Sequence, residues 1–99
     1  MRYGVYQIKI DELSPRNVRD AYMESMLGRP DRGLAENLYA KVAEIEANDL
    51  EHVFEIGNIG PEESITRMGS MSSISVGNII EDADGKRFVV ASFGFDEIA

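Results

Sequence analysis

The chain reads as an α+β domain: an antiparallel or mixed sheet of about four strands, two main helices and one short helix, in the order β-α-α-β-α-β-β. Three observations predict this. The first ten residues alternate with period two. Two apolar runs near the end flank an Asp84-Gly85 step. Between them, apolar residues recur every three or four positions. At 99 residues, the chain holds a single domain spanning 1–99, with one core.

Arg2 to Ile10 places Gly4, Tyr6, Ile8 and Ile10 on one side and Tyr3, Val5, Gln7 and Lys9 on the other, the pattern of a strand. Ser14-Pro15 opens a helix, because serine caps free amides and proline is tolerated at the first helical position. Val18, Tyr22 and Met26 give that helix an apolar stripe, and Gly28 and Pro30 stop it. Residues 28–33 read as an exposed loop carrying Arg29 and Arg32. Convergence of these two arginines would mark a small anion or acidic-partner contact.

A second helix is expected from Leu34 to Ala47, where Leu34, Leu38, Val42 and Ile45 share a side and Asn48 suits the end. Leu50 to Ile56 reads as a strand with Phe54 and Ile56 inward, followed by a turn over 57–61. Pro61-Glu62-Glu63 starts a short helix through Met68. A hairpin over 73–95 completes the chain, since an Asp-Gly turn takes positive φ without strain. Its second run, Phe88 to Ala91, lacks alternation and is expected in the sheet interior.

Charge narrows the function classes. The net charge is −8, and the excess is uneven: residues 34–64 hold eight acids against the single base Lys41. A chain this acidic does not suit nucleic-acid binding, which needs clustered Lys and Arg against phosphates. It suits a partner protein with a basic surface. The candidate partner-binding residues are the eight acids themselves: Glu36, Glu44, Glu46 and Asp49, then Glu51, Glu55, Glu62 and Glu63.

Candidates for catalysis are few. There is no cysteine, which removes thiolate chemistry, disulfides and Cys-type zinc sites. His52 is the only histidine, in a segment read as a strand; the eight serines form no Gly-x-Ser-x-Gly elbow. Glu81, Asp82 and Asp84 lie close together but lack the offsets of a calcium loop. No phosphate-binding loop or dinucleotide fingerprint is present. The expectation is a non-enzyme with no cofactor and no metal. Phe88 is expected in the core, and Phe93 and Phe95 in the core or in a contact patch. No run approaches the roughly 18 apolar residues of a membrane span, and Met1 to Tyr6 lacks the apolar region of a secretory signal. A soluble, cytoplasmic protein without membrane contact is therefore expected.

Val53 to Asn58, Ser73 to Ile80, Asp84-Gly85 and Ser92 to Phe95 together resemble the YodL-like and KfrB-like accessory domains of phages and conjugative plasmids. That pattern usually carries aspartate where this chain has Asn78. The resemblance covers less than half the chain. It implies a mobile-element origin and carries over no reaction and no catalytic residue. With the charge, it leads to an expected inhibitor of a host or defence protein, such as a CRISPR or restriction component, that mimics nucleic-acid charge. The alternatives are a homodimeric regulatory or assembly module and a small ligand-binding or enzymatic domain.

Overall fold

A computed structural model describes residues 1–98. It is an α+β fold built on one six-stranded antiparallel sheet, ordered β3-β2-β1-β4-β5-β6. The strands are β1 (Arg2–Ile8), β2 (Tyr39–Glu46), β3 (Ile65–Arg67), β4 (Ile79–Glu81), β5 (Arg87–Val90) and β6 (Phe95–Ile98). The helices are α1 (Arg16–Met26), α2 (Asp31–Ala35) and α3 (Leu50–Ile59), with a single 3₁₀ turn over Glu62–Ser64.

The alternation read in β1 is real, and both of its edges are paired. Val5 stands between Ala43 of β2 and Ile80 of β4, fully buried. The turn at Asp84-Gly85 joins β4 to β5 in register, Ile80 opposite Phe88. Asp82 shapes that turn, its Oδ1 accepting from the backbone amides of Asp84 and Lys86, both at 2.9 Å. The first hairpin strand is shorter than expected: residues 74–76 lie outside it, in the approach to a tight turn at 75–78. β5 is an interior strand, with Val89 and Val90 buried on opposite faces.

The middle of the chain departs from expectation. Residues 34–47 are not a helix; α2 ends at Ala35 and β2 follows. A one-residue bulge explains the misleading period. Val5 pairs with Ala43 but Tyr6 pairs with Lys41, so Val42 is the extra residue. Val42 and Ala43 both join the core on one face, with Ile45 beyond them. An apolar spacing of three or four thus arises in a strand. Leu50 to Ile56, expected as a strand, is helical instead. Asp49 caps it, its Oδ1 accepting from the His52 amide at 2.8 Å, and Val53 and Ile56 point to the sheet. The short helix expected over 61–68 is only the 3₁₀ turn, after which β3 pairs with β2. β6 was not anticipated; it brings the count to six rather than about four.

Helices lie on both faces. α3 covers the face bearing Tyr3, Val5, Ala43, Ile45 and Ile80, and this is the main core. α2 approaches the other face at one end, where Gly33 stands against Ile8 and the ring of Tyr39. α1 packs beside it through the small residues Ala21 and Ser25, leaving the expected stripe residue Met26 half exposed. Ser14 does not cap α1; its hydroxyl accepts from the Asp11 amide at 2.9 Å.

The turn at 75–78 ties these layers together. Asn78 Oδ1 accepts from the Ser75 amide at 3.0 Å and from Nε2 of buried Gln7 at 3.1 Å. The group required at 78 is therefore an acceptor, a role that the aspartate of the resembling domains fills equally well. Gly77 lies under α1, and the Tyr39 hydroxyl donates to its carbonyl at 2.6 Å. A Cβ at Gly77 would collide with the Ser25 carbonyl, and its φ is +92°. Gly85 has a similar φ of +85°, but open space where a Cβ would stand. Gly85→Ala is expected to cost about 1 kcal/mol, the backbone term alone. Gly77→Ala is expected to cost at least about 2–3 kcal/mol, because α1 must also move. Urea unfolding of the two variants measures the difference, and equal losses would contradict this packing.

Candidate partner-binding surface

With Val53 and Ile56 turned inward and Gly57 pressed against Ile74, α3 presents Glu51, Phe54 and Glu55 outward. It runs beside β5, so that Leu50 lies near Phe88 and Phe54 near Val90. Two adjoining cavities follow this seam. One, about 370 Å³, is lined by Tyr3, Asp49, Leu50, Asp82 and Phe88, among others. The second, about 340 Å³, is lined by Phe54, Val90, Ala91, Ser92, Gly94 and Phe95. Glu51 lines both, so the two cavities flank its side chain, and together they are termed the groove.

The groove is apolar and acidic. Among the described residues neither lining includes a lysine or an arginine. Phe54 is 38% exposed, and Phe93, on the turn at the end of the groove, is 95% exposed. Glu97 stands opposite Phe88 on β6, on the same face. Burial pushes the Tyr3 phenol above its ordinary pKa, and the negative charges of Asp49 and Asp82 add to that rise.

The eight acids singled out in the sequence do not share one surface. Glu36 follows α2 and accepts from Asn17 at 2.9 Å, with Arg32 at 4.0 Å. Glu44 and Glu46 project from β2 on the face away from α3. Glu44 is held by Arg2 at 3.0 Å and Lys41 at 2.8 Å, and Glu46 by the chain's amino group at 3.2 Å. Glu62 is paired with Arg67 at 2.7 Å. The other four, Asp49, Glu51, Glu55 and Glu63, make no ion pair among the described residues, and the first three lie on α3 or cap it. Of the groove residues, Phe95 is expected from the sequence in the core or in a contact patch, Phe54 facing inward and Val90 in the sheet interior; the sequence does not bring the three together. Only the helical spacing of Leu50, Val53, Phe54 and Gly57 behind the cap Asp49 could have revealed them.

The sheet face opposite α3 carries a paired polar array. The Tyr6 hydroxyl donates to Glu81 at 3.1 Å, and the Arg87 guanidinium lies 5.0 Å from the Tyr6 ring centre. The β2 bulge brings Lys41 and Glu44 to this face together, and Gly4 between them leaves room for the lysine stem. The hydrogen bond from Lys41 holds the Glu44 carboxyl below its ordinary 4.5, and the same bond raises Lys41 above its ordinary 10.5. Burial pushes the Tyr39 phenol up to about 12.

His52 lies on α3, not in a strand. Its Nδ1 accepts from the Asn48 amide at 3.0 Å, so the ring closes the helix cap. It lines neither groove cavity, nor a third cavity of about 640 Å³ formed by Gln7, Lys9, Tyr22, Ser70 and Ser72 with their neighbours. Arg29 and Arg32 do not converge on an anion site; Arg32 turns to Glu24 at 2.8 Å. Among the described residues no three His, Asp or Glu side chains are placed to hold a metal ion, and no helix is long and apolar enough to cross a membrane. Comparison with family models, curated proteins and solved structures finds no match.

The Lys41–Glu44 pair sets a pH dependence. A lowered carboxyl pKa contributes stability above pH 4.5 that is lost as pH falls through the folded value. The raised lysine contributes below pH 10.5 and is lost above it. Glu44→Gln is therefore expected to lower the urea midpoint at neutral pH, by an amount that shrinks as the pH falls below 4.5. A deficit that persists undiminished in acid would contradict the assignment.

Proposed function

We propose that this chain is a non-enzymatic binding protein of a phage or other mobile element, which inhibits a host or defence protein through an acidic contact surface. The observation that carries the reading is the set of unpaired carboxylates on and beside α3, held next to exposed apolar side chains. Charges already neutralised within a fold offer little to a partner, whereas free ones steer a basic surface into contact. The contact set narrows accordingly to Asp49, Glu51, Glu55 and Glu63. Glu36, Glu44, Glu46 and Glu62 are left as structural pairs. Divided between two sheet faces, the eight acids do not form the continuous row that a mimic of nucleic acid requires, so a local protein contact fits better than replacement of a whole duplex. The mobile-element origin rests on the motifs at 53–58, 73–80 and 92–95.

The test is capture from a bacterial lysate with the tagged protein, followed by mass spectrometry. A partner with a basic surface is expected at low salt and is lost as salt rises. The triple variant Glu51→Lys, Glu55→Lys, Glu63→Lys is expected to abolish capture while unfolding like the parent. Undiminished capture by that variant would refute the acidic-contact reading.

A further inference from the structure

We infer that the groove between α3 and β5 docks a basic amphipathic helix of the partner, its apolar stripe over Phe54, Val90 and Phe95 and its Lys or Arg side chains against Asp49, Glu51 and Asp82. The inference rests on the proposed acidic binding role and specifies which part of the surface is used and what it takes.

Charge is the first argument. A groove lined by aromatic and aliphatic side chains and by three carboxylates, with no lysine or arginine among the described lining residues, complements a segment that is apolar on one side and positive beside it. A phosphate backbone would be repelled.

Geometry is the second argument. The core beneath α3 draws on β2, β1 and β4 and reaches β5 only at Val90, while Phe88 and Phe95 on the same face remain half-buried. A helix beside α3 would complete the layer over β5 and β6. The floor is made of side chains and not of a free strand edge, so recognition here runs through an apolar stripe and not through strand addition. The ten residues of α3 span roughly 15 Å, so about three turns of an added helix would fill the seam.

The probe is a synthetic peptide of about 15 residues with leucine at i, i+3, i+4 and i+7 and Lys or Arg elsewhere. It is titrated into isotope-labelled protein beside a scrambled peptide of the same composition. Micromolar binding of the striped peptide alone is expected, with backbone resonances moving at Glu51, Phe54, Val90 and Phe95. Glu51→Lys and Phe54→Ser, each checked for a parental unfolding curve, are each expected to weaken it by about tenfold or more. Glu12→Lys, exposed and outside both the groove lining and the proposed contact set, is expected to leave it unchanged. Equal binding of the two peptides, shifts confined to the Tyr6–Arg87 face, or insensitivity to both groove variants would overturn the inference. So would self-association of the peptide-free protein that Phe54→Ser abolishes, since a second copy would then be the occupant. The two claims fail separately. Loss of partner capture in the charge-reversed triple variant alongside a groove that ignores the peptide refutes only the groove. Peptide binding in the groove alongside undiminished capture by the triple variant refutes only the acidic contact.

Discussion

The structure depends on the double pairing of β1. Arg2 to Ile8 takes β2 on one edge and β4 on the other, so the first strand of the chain becomes the centre of the sheet. Val5 is the pivot: fully buried, it joins Ala43 and Ile80, residues far apart in sequence. Each fully buried apolar side chain in this layer contributes about 1.5–3 kcal/mol relative to exposure, and α3 shares in it through Val53 and Ile56. Neither half of the chain can bury its apolar face without this strand. The position of α3, and with it the groove, follows from the core.

A single extra residue decides how the faces are used. The bulge at Val42 turns Val42 and Ala43 inward together and sends Lys41 and Glu44 outward together. That places an ion pair on the polar face where a regular strand would have put its two members on opposite sides. The polar face is consequently neutralised within itself by Arg2, Lys41 and Arg87 against Glu44 and Glu81. On the α3 face the edge strand β3 brings Arg67, opposite Ala43, and this base is taken up by Glu62, leaving the acids of α3 unpaired among the described residues. The chain's negative excess is thus expressed mainly on one side, beside its exposed phenylalanines.

The parts of this that could be read from residues were those governed by local chemistry. Alternation in β1 and the Asp-Gly turn between β4 and β5 follow from backbone geometry that neighbouring residues control. The exchange of helix and strand between 34 and 59 did not. The bulge makes Leu38, Val42 and Ile45 look helical, and it is visible only in the pairing of β2 with β1, a strand more than thirty residues away. In α3, Gly57 argued against a helix, yet it is there because Ile74 leaves no room for a Cβ. The Asp49–His52 cap is a local signal, an acceptor side chain three residues ahead of the amide it satisfies, but the apolar residues that follow it fit a strand equally well. Net charge identified the candidate acids but not their partners: Arg2 and the amino group, which hold Glu44 and Glu46, reach them only through the pairing of β1 with β2. The groove was invisible for the same reason, since Phe54 and Phe95 meet only through the sheet.

Native-state amide hydrogen exchange tests most directly whether the central strand and α3 form one frame that holds the carboxylates and phenylalanines in place. The account predicts that Val5, Ile45 and Ile80 exchange only through global unfolding, and that Val53 and Ile56 of α3 share that free energy, while β3 and β6 open more readily. Exchange at Val53 and Ile56 through a separate, low-energy opening, with β1 still protected, would contradict it. The acidic groove would then be a transient arrangement and not a surface built into the fold.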